Sequence, residues 1–441
     1  MSVELMQALL RHAKSAGADA ADALLVSSTS VSVQRRMRQT EQLERSEGRD
    51  LGLRVFVGQQ AAIVSSTAMD PAGFQALAER AVAMARVVPP DPYGGLAELM
   101  ATPEHVLLEM DDPSEPDVAA LTARAAAAEE AALSTPGITN SEGADAGYGR
   151  TEIVLVTSAG FTGSYARTSH SVSATALAGT GTGMERDYDY SSTVRLADLE
   201  DAAEIGRVAA QKALRRLNPT RPRTARLPVV YDPRVSSSLL GSLLGAINGS
   251  SIVRGTSFLK DRMGERLFAP GVHVIDDPRR VRGLRSRPFD GEGVPTRARS
   301  IIEDGVLTTW LLDSRSARQL GLVTTGSASR GTGGPPGPSA TNVTLSAGTM
   351  TPAELMADIT EGLYVTELMG GGVNGITGDY SRGATGFMIR NGELAEPVAE
   401  ITIAGHALEI FRTLVPANDL RLRRGMDAPT VRVEGLTMAG A

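Results

Sequence analysis

The chain contains no cysteine, which excludes disulfides, thiolate-bound zinc and cysteine nucleophiles together. Histidine is nearly as scarce, with only His12, His105, His170, His273 and His406, widely spaced along 441 residues. Hydrolytic zinc takes about three nitrogen or oxygen ligands and a base for the attacking water, yet neither HExxH nor HExxxH occurs. Lysine is limited to Lys14, Lys212 and Lys260, so almost all of the 44 basic residues are arginine. Aromatics make up 4%, so any core must be built of Ala, Val, Leu and Ile. No apolar run approaches the roughly 18 residues of a membrane span. There is no GxxxxGK[ST], no GxGxxG between a strand and a helix, and no GxSxG, which removes the phosphate-cradle, dinucleotide and nucleophile-elbow readings. A net charge of −7 offers no long-range attraction to nucleic acid or anionic lipid.

What is present reads as an ordinary globular protein, with 42% hydrophobic and 22% charged residues. Its length favours two domains of roughly 200 residues each. Val3, Leu5, Met6, Leu9 and Leu10 predict an amphipathic helix over 3–15 with Gly17 as its stop, and the early Glu4 argues against a signal peptide. Strands are expected at 23–35, 39–47, 51–57 and 61–65, with a hairpin turn at 58–60. Helices follow over 71–88, opened by Pro71, and over the alanine-rich 115–133. Strands at 153–158, 163–167 and 169–178 and a helix at 199–217 complete an α+β pattern. GTGTG at 179–183 reads as a turn. The Pro/Arg-rich run from Asn218 to Arg226 predicts a linker over 218–227. It separates an N-terminal α/β domain, 1–217, from a β-rich C-terminal domain, 228–441. Gly326–Asn342 reads as a flexible or binding loop.

Several clusters carry the chemical readings. YDPRVSSSLLGSLLGAINGS predicts a helix capped by Asp232 and entered through Pro233, with Leu239, Leu240, Leu243 and Leu244 on one apolar face. Asp290 and Glu292 stand two apart, so a strand would show them on one face, while Asp276-Asp277 look like a turn. Glu185, Asp187 and Asp189 alternate with Arg186, Tyr188 and Tyr190. Such carboxylates suit acid/base work or a hard cation, against arginine-paired or solvated strand faces. His406 and Glu409 have i,i+3 spacing but no third ligand. In GDYSRG, Asp379, Tyr380, Ser381 and Arg382 could grip peptide backbone, or the loop could be locked by an Asp379–Arg382 pair. Gly370, Gly371, Gly372, Gly375 and Gly378 predict positive-φ turns.

The run Gly372–Gly405, GVNGITGDYSRGATGFMIRNGELAEPVAEITIAG, resembles the C-terminal core of the TldD/TldE (PmbA) family of metallopeptidase subunits. The likeness extends nearly end to end, through LERSEGRDLGLRVFVG, MERDYDYSS, LNPTRPRT, LPVVYDPRV, SRPFDGEGVP, WLLDSRSARQLGL and LTMAGA. TldD-type chains carry HExxxH on the helix before a loop like INGSSIVRGTSF. Matching on Arg254–Ser257 places Leu240 and Gly245 where the histidines would be and Gly241 where the glutamate would be. The resemblance therefore implies a TldE-type subunit without zinc of its own. It implies a cytoplasmic complex with a zinc-bearing TldD-type partner, the two chains enclosing a cavity for unfolded peptides. Asp379, Tyr380, Ser381, Arg382, Asp290, Glu292, Arg254, Thr256 and Ser257 are the candidate peptide-binding or cavity residues; no catalytic and no metal residue is assigned to this chain. Gly241 and Gly245 are then expected to allow close packing of their helix. Two other readings stay open: a self-sufficient hydrolase with a carboxylate metal site, and a non-enzymatic homodimeric peptide-binding protein.

Overall fold

The computed structural model describes residues 2–98 and 106–440, so His105 lies outside the described residues. The N-terminal half is one sheet with helices on one face. Strands β1 (Ala20–Arg36), β2 (Gln39–Val57), β3 (Gln60–Ser66), β4 (Ile138–Thr157), β5 (Thr162–Ala178) and β6 (Glu185–Thr193) form a six-stranded sheet in the order β3-β2-β1-β4-β5-β6. All its neighbours are antiparallel. Three of these strands are longer than their sequence predicts. The polar stretch around Gly48 stays in register with β1 (Ser30↔Ser46, Ser28↔Gly48), so 39–47 and 51–57 are one strand. Polarity there marks exposure on both faces, not a break. Segments 163–167 and 169–178 fuse through the buried Thr168, which stays in register with β4 (Thr168↔Arg150), and β4 begins well before 153.

Helices α1 (Ser2–Ser15), α2 (Phe74–Ala85), α3 (Val118–Leu133) and α4 (Ala202–Arg215) cover one face. Met6, Leu9 and Phe74 pack on Leu25, Leu51, Leu53 and Val55. Ala128, Ala132, Ala209 and Ala213 pack on Val172, Ala174 and Ala176. The alanine content of α3 thus serves packing as well as propensity: a Cβ on Gly206 of α4 would stand 1.9 Å from the Ala128 carbonyl oxygen.

In the C-terminal half, β7 (Ala225–Tyr231), β8 (Glu361–Val373), β9 (Asp379–Arg390), β10 (Glu393–His406) and β11 (Val431–Ala439) form a closed ring. The order is β10-β9-β8-β7-β11, and β10 pairs back onto β11 (Thr402↔Ala439, Ile403↔Met438). Closure removes the free edges that an open sheet must protect. Val229, Tyr231, Leu363, Val365, Met388, Ile403 and Val433 fill this core. Helix α5 (Pro233–Ala246), capped by Asp232 on the Arg234 amide, buries Leu239, Leu240 and Leu243 against it. The segment expected as a linker, 218–227, is tied down: the Thr220 amide donates to the Pro397 carbonyl at 2.8 Å, and β7 starts within it.

The two halves meet through the other face of the first sheet. Leu24, Leu155 and Phe161 pack on Phe289, with the Phe161 and Phe289 rings edge-to-face at 5.1 Å. Beside them Asp22 is enclosed by two arginines. Arg54 Nε donates to Asp22 Oδ2 at 2.9 Å and Arg330 Nη1 to Oδ1 at 2.6 Å. The three side chains are only 1–8% exposed. Arg330 belongs to the Gly326–Asn342 stretch expected as a flexible or binding loop. The stretch is packed, not loose: 328–329 pair with 337–338, Ala328, Thr341 and Asn342 are buried, and the Thr332 carbonyl lies over Gly52, where a Cβ would come within 2.3 Å. A second polar contact uses β6. Asp187 pairs with Arg234 at 2.6 Å, and the Tyr190 hydroxyl accepts from Arg424 at 2.6 Å.

Replacing Asp22 by alanine leaves two buried guanidinium groups without their shared anion. Urea titration of Asp22→Ala should show stability lower by about 3–5 kcal/mol. Arg207→Ala, which breaks the exposed pair with Glu204, should cost about 1 kcal/mol or less. Equal effects from the two substitutions would remove Asp22 as the anchor of the domain contact.

A candidate functional site in the cleft between the domains

A cleft of about 740 Å³ opens where the helix-covered sheet meets the C-terminal half. Phe56 and Ile63 from the first sheet, Val253 and Arg254 beyond α5, Arg315, and Pro335 with Pro336 line it, and Glu292 lies in its wall. Arg254 and Glu292 were legible from sequence, as were Pro335 and Pro336 within the 326–342 stretch read as a flexible or binding loop. The others come from separate segments brought together by the fold, and no local pattern marks them.

Glu292 sits in a tight turn, not in the expected strand. The Asp290 amide donates to the Val294 carbonyl at 2.9 Å and the Gly293 amide to the Asp290 carbonyl at 3.1 Å, with Gly293 at φ +86°. Asp290 is consumed by this turn: its carboxylate accepts from the amides of Glu292, Val294 and Ala328 at 2.9–3.0 Å. Glu292 is 4% exposed and accepts from the Ser314 amide at 2.8 Å. Burial, with the neighbouring Asp290 charge, pushes its carboxyl up to about 7, against the opposing pull of the Ser314 bond and Arg54. Arg254 is exposed at the end of the short helix Gly249–Val253; among the described residues its guanidinium has no ion pair or hydrogen bond. Arg315 holds Asp91 at 2.5 Å across the cleft.

The other candidates scatter. Ser257 is buried, its hydroxyl donating to the Ala246 carbonyl at 2.6 Å, and Thr256 reaches the Ser251 carbonyl at 3.4 Å; both shape the turn after α5. GDYSRG is not a loop: from Asp379 it is the start of β9, paired with β8 (Gly372↔Ser381, Val373↔Tyr380). Tyr380 is 3% exposed, inside the barrel, its hydroxyl 3.3 Å from that of Tyr231. Ser381 is exposed, and Arg382 donates to the Gly370 carbonyl at 3.1 Å. No Asp379–Arg382 lock forms, because residues three apart in a strand face opposite ways; Asp379 accepts from the Thr377 hydroxyl at 2.6 Å instead. Four of the five glycines have positive φ: Gly370, Gly371, Gly372 and Gly378, but not Gly375.

The true turn is 374–378, and sequence reasoning missed what holds it. His406 Nδ1 accepts from the Leu408 amide at 3.2 Å, which leaves Nε2–H to donate to the Thr377 carbonyl at 2.9 Å. Both ring nitrogens are thus occupied, and Glu409 faces Arg412 at 2.9 Å. Among the described residues no group of three or more His, Asp or Glu side chains is arranged to hold a metal ion. On α5, Leu240 is buried in the core. The close packing expected at the two glycines is absent: a Cβ at Gly241 would meet only Met426 Cε at 3.8 Å, and one at Gly245 would meet nothing within 4 Å. This helix offers no ligand at the three positions where a zinc helix would carry them.

Comparison with known proteins covers the whole chain. Family models for the PmbA/TldA metallopeptidase match as domain 1 over residues 21–85, the central domain over 111–217 and the C-terminal domain over 224–440. Metalloprotease PmbA of Escherichia coli O157:H7 is 36% identical over 428 residues, covering 96% of this chain and 92% of that protein. A crystal structure from Bacteroides thetaiotaomicron, named as a candidate modulator of DNA gyrase, superposes with a TM-score of 0.91 at 27% identity, covering 99% and 98% of the two chains. TldE from Thermococcus kodakarensis shares the fold, with a TM-score of 0.88 at 21% identity over 99% and 100% of the chains.

The raised Glu292 carboxyl has a measurable consequence. A folded-state value above the ordinary one near 4.5 means that the neutral form favours folding. Its contribution is fully present below about pH 4.5 and is lost as pH rises through 7. Glu292→Gln keeps the neutral shape and cannot ionise. The stability of Glu292→Gln relative to wild type should therefore rise between pH 4.5 and 8 by on the order of 3 kcal/mol. Parallel stability curves over that range would show that this carboxyl is not held neutral by its surroundings.

Proposed function

The chain belongs to the PmbA/TldD metallopeptidase family, and from that premise we propose that it is a TldE-type subunit, completing a proteolytic cavity without binding zinc itself. The observation that carries this reading is α5. At the three positions where the family's zinc-bearing chains carry HExxxH, Leu240 faces the core and Gly241 and Gly245 present no side chain. Zinc and the activated water then come from a TldD-type partner. This chain supplies walls that hold a flexible peptide. In the cleft, the unpaired Arg254 can hold a carboxylate or backbone carbonyl, with Phe56, Ile63, Val253 and the two prolines offering apolar contact. At the outer end of β9, Asp379, Ser381 and Arg382 offer hydrogen-bonding groups beside the glycine-rich turns. We propose a cytoplasmic location for the complex, as expected from the sequence. Among the described residues no helix is long and apolar enough to cross a membrane.

A self-sufficient carboxylate metal site at Asp290 and Glu292 has less support. Asp290 already accepts three amide hydrogen bonds, and Glu292 is held near neutrality by burial. An ion there would first have to displace the bonds that make the turn.

The test is an unfolded peptide incubated with this chain, with a zinc-bearing TldD-type chain, and with both. Cleavage should require the mixture, and elemental analysis of this chain alone should find no stoichiometric zinc. In the mixture Arg254→Ala should lower turnover about ten- to a hundredfold, the worth of one charge-assisted hydrogen bond. Its melting temperature should not change, since the side chain has no partner to lose. Cleavage by this chain alone would overturn the reading. Binding without cleavage in every mixture would favour a peptide-binding protein instead.

A further inference from the structure

A second cavity, of about 360 Å³, opens on the same face of the first sheet as the cleft. The Asp22 trio and the 290–292 turn stand between the two: Arg330 and Asp290 line this side, Arg54 and Glu292 the other. The floor is apolar, made by Leu24 and Val26 of β1, Ile153 and Leu155 of β4, and the Phe289 ring. The rim is cationic. Arg167, Arg285, Arg287 and Arg330 line it, and Asp290 is the one carboxylate among the described lining residues. Asp290 is taken up by the three amides of its own turn, and it and Asp276 feel Arg287 only at longer range.

These arginines are under-used. Among the described residues Arg167, Arg285 and Arg287 are in no ion pair. Arg167 reaches the Leu284 carbonyl at 3.2 Å, and Arg287 the Ala328 and Ser339 carbonyls at 2.8 and 3.3 Å. Neutral acceptors hold the forks in place and leave the charge unanswered. The Arg285 side chain has no hydrogen bond at all among the described residues. Nε of Arg287 and Nε of Arg330 are buried without an acceptor, although the Arg330 side chain is only 3% exposed; a buried donor left unmade is destabilising until an acceptor arrives. Tyr165 stands edge-on to Phe289 at 5.3 Å. Its hydroxyl lies in the field of Arg167 and Arg287 and likewise has no partner.

Charge and shape together select a ligand. Planar guanidinium forks match a carboxylate in two-point contacts. An apolar floor beneath a cationic rim favours an anion that carries a hydrocarbon or aromatic body over a bare inorganic ion, whose hydration the floor cannot replace. The volume is at the small end of ligand pockets, which suits a molecule of one or two amino-acid residues in size and not a folded partner.

We propose that this cavity binds a small organic carboxylate, its head group held by Arg167, Arg285 and Arg287 with the Tyr165 hydroxyl, and its apolar body resting on β1, β4 and Phe289. The site does not depend on the peptidase reading, since Arg254 and α5 take no part in it. The carboxylate belongs either to a free acid or to the C-terminus of a peptide; the chemistry recognised is the same.

Isothermal titration calorimetry of the full chain with N-acetyl-phenylalanine tests it. The dissociation constant should be about 1 mM or lower. N-acetyl-phenylalanine amide has the same body without the charge, and inorganic phosphate has charge without the body. Each should bind about tenfold more weakly or worse. Arg285→Glu should weaken binding of the acid about tenfold or more, and Tyr165→Phe about threefold or more. Neither should lower the melting temperature, because neither group has a hydrogen bond or ion pair within the chain to lose. A pentapeptide ending in phenylalanine separates the two sources. Binding as tight as that of the acid assigns the site to peptide C-termini, and weaker binding assigns it to a free acid. A wild-type chain that does not bind N-acetyl-phenylalanine would overturn the proposal. So would equal affinity for the acid and its amide, phosphate bound as tightly as the acid, or full affinity in folded Arg285→Glu.

Discussion

Asp22, shared between Arg54 and Arg330, is the contact on which the arrangement of the two halves depends. Two guanidinium groups and one carboxylate are removed from water together, and this is tolerable only if every charge is answered. The geometry is correspondingly constrained. β1 and β2 must present Asp22 and Arg54 side by side, and the 326–342 segment must come down onto the sheet to deliver Arg330. Gly52 has no side chain, so the Thr332 carbonyl can approach the sheet there. The same descent places Ala328 on Asp290 and so closes the turn that buries Glu292. The cleft and its near-neutral carboxyl are thus consequences of docking the domains.

The arginine bias acquires a physical meaning here. A planar fork with several fixed donors can answer a carboxylate and a second acceptor at once, which a lysine cannot do with the same geometry. Arg424, for example, bridges the Tyr190 hydroxyl and the Pro233 carbonyl, at 2.6 and 2.8 Å. Arg318 reaches the Tyr93 carbonyl at 3.1 Å in the segment after α2. The polar contacts between the halves are mostly of this fork-to-acceptor kind, with a small aromatic patch around Phe161 and Phe289 beside them.

The halves also treat their sheet edges differently. The barrel has closed on itself through β10 and β11, so it needs no partner to satisfy its backbone. The first sheet stays open along the first half of β2, with polar side chains on both faces. The barrel interior, Tyr231 and Tyr380 included, is committed to packing.

Periodicity, alanine propensity and capping chemistry were enough, by themselves, to reveal the helices at the N-terminus, at 118–133 and after Asp232, because their signals are local: a repeat of apolar positions, a run of alanines, a cap, a proline in the first turn. The α+β character and the family likeness were legible for the same reason, being carried by continuous runs. Continuous polar strands were not legible, since the sequence around Gly48 looks like a loop until β1 is seen to pair with it. Nor could local sequence place Tyr380 in a core and Ser381 beside it in solvent, which depends on where β8 lies. The raised carboxyl of Glu292, the unpaired Arg254 and the open edge of β2 are decided by tertiary structure alone. Burial, missing partners and open edges are properties of neighbours distant in the chain, and no spacing of residues records them.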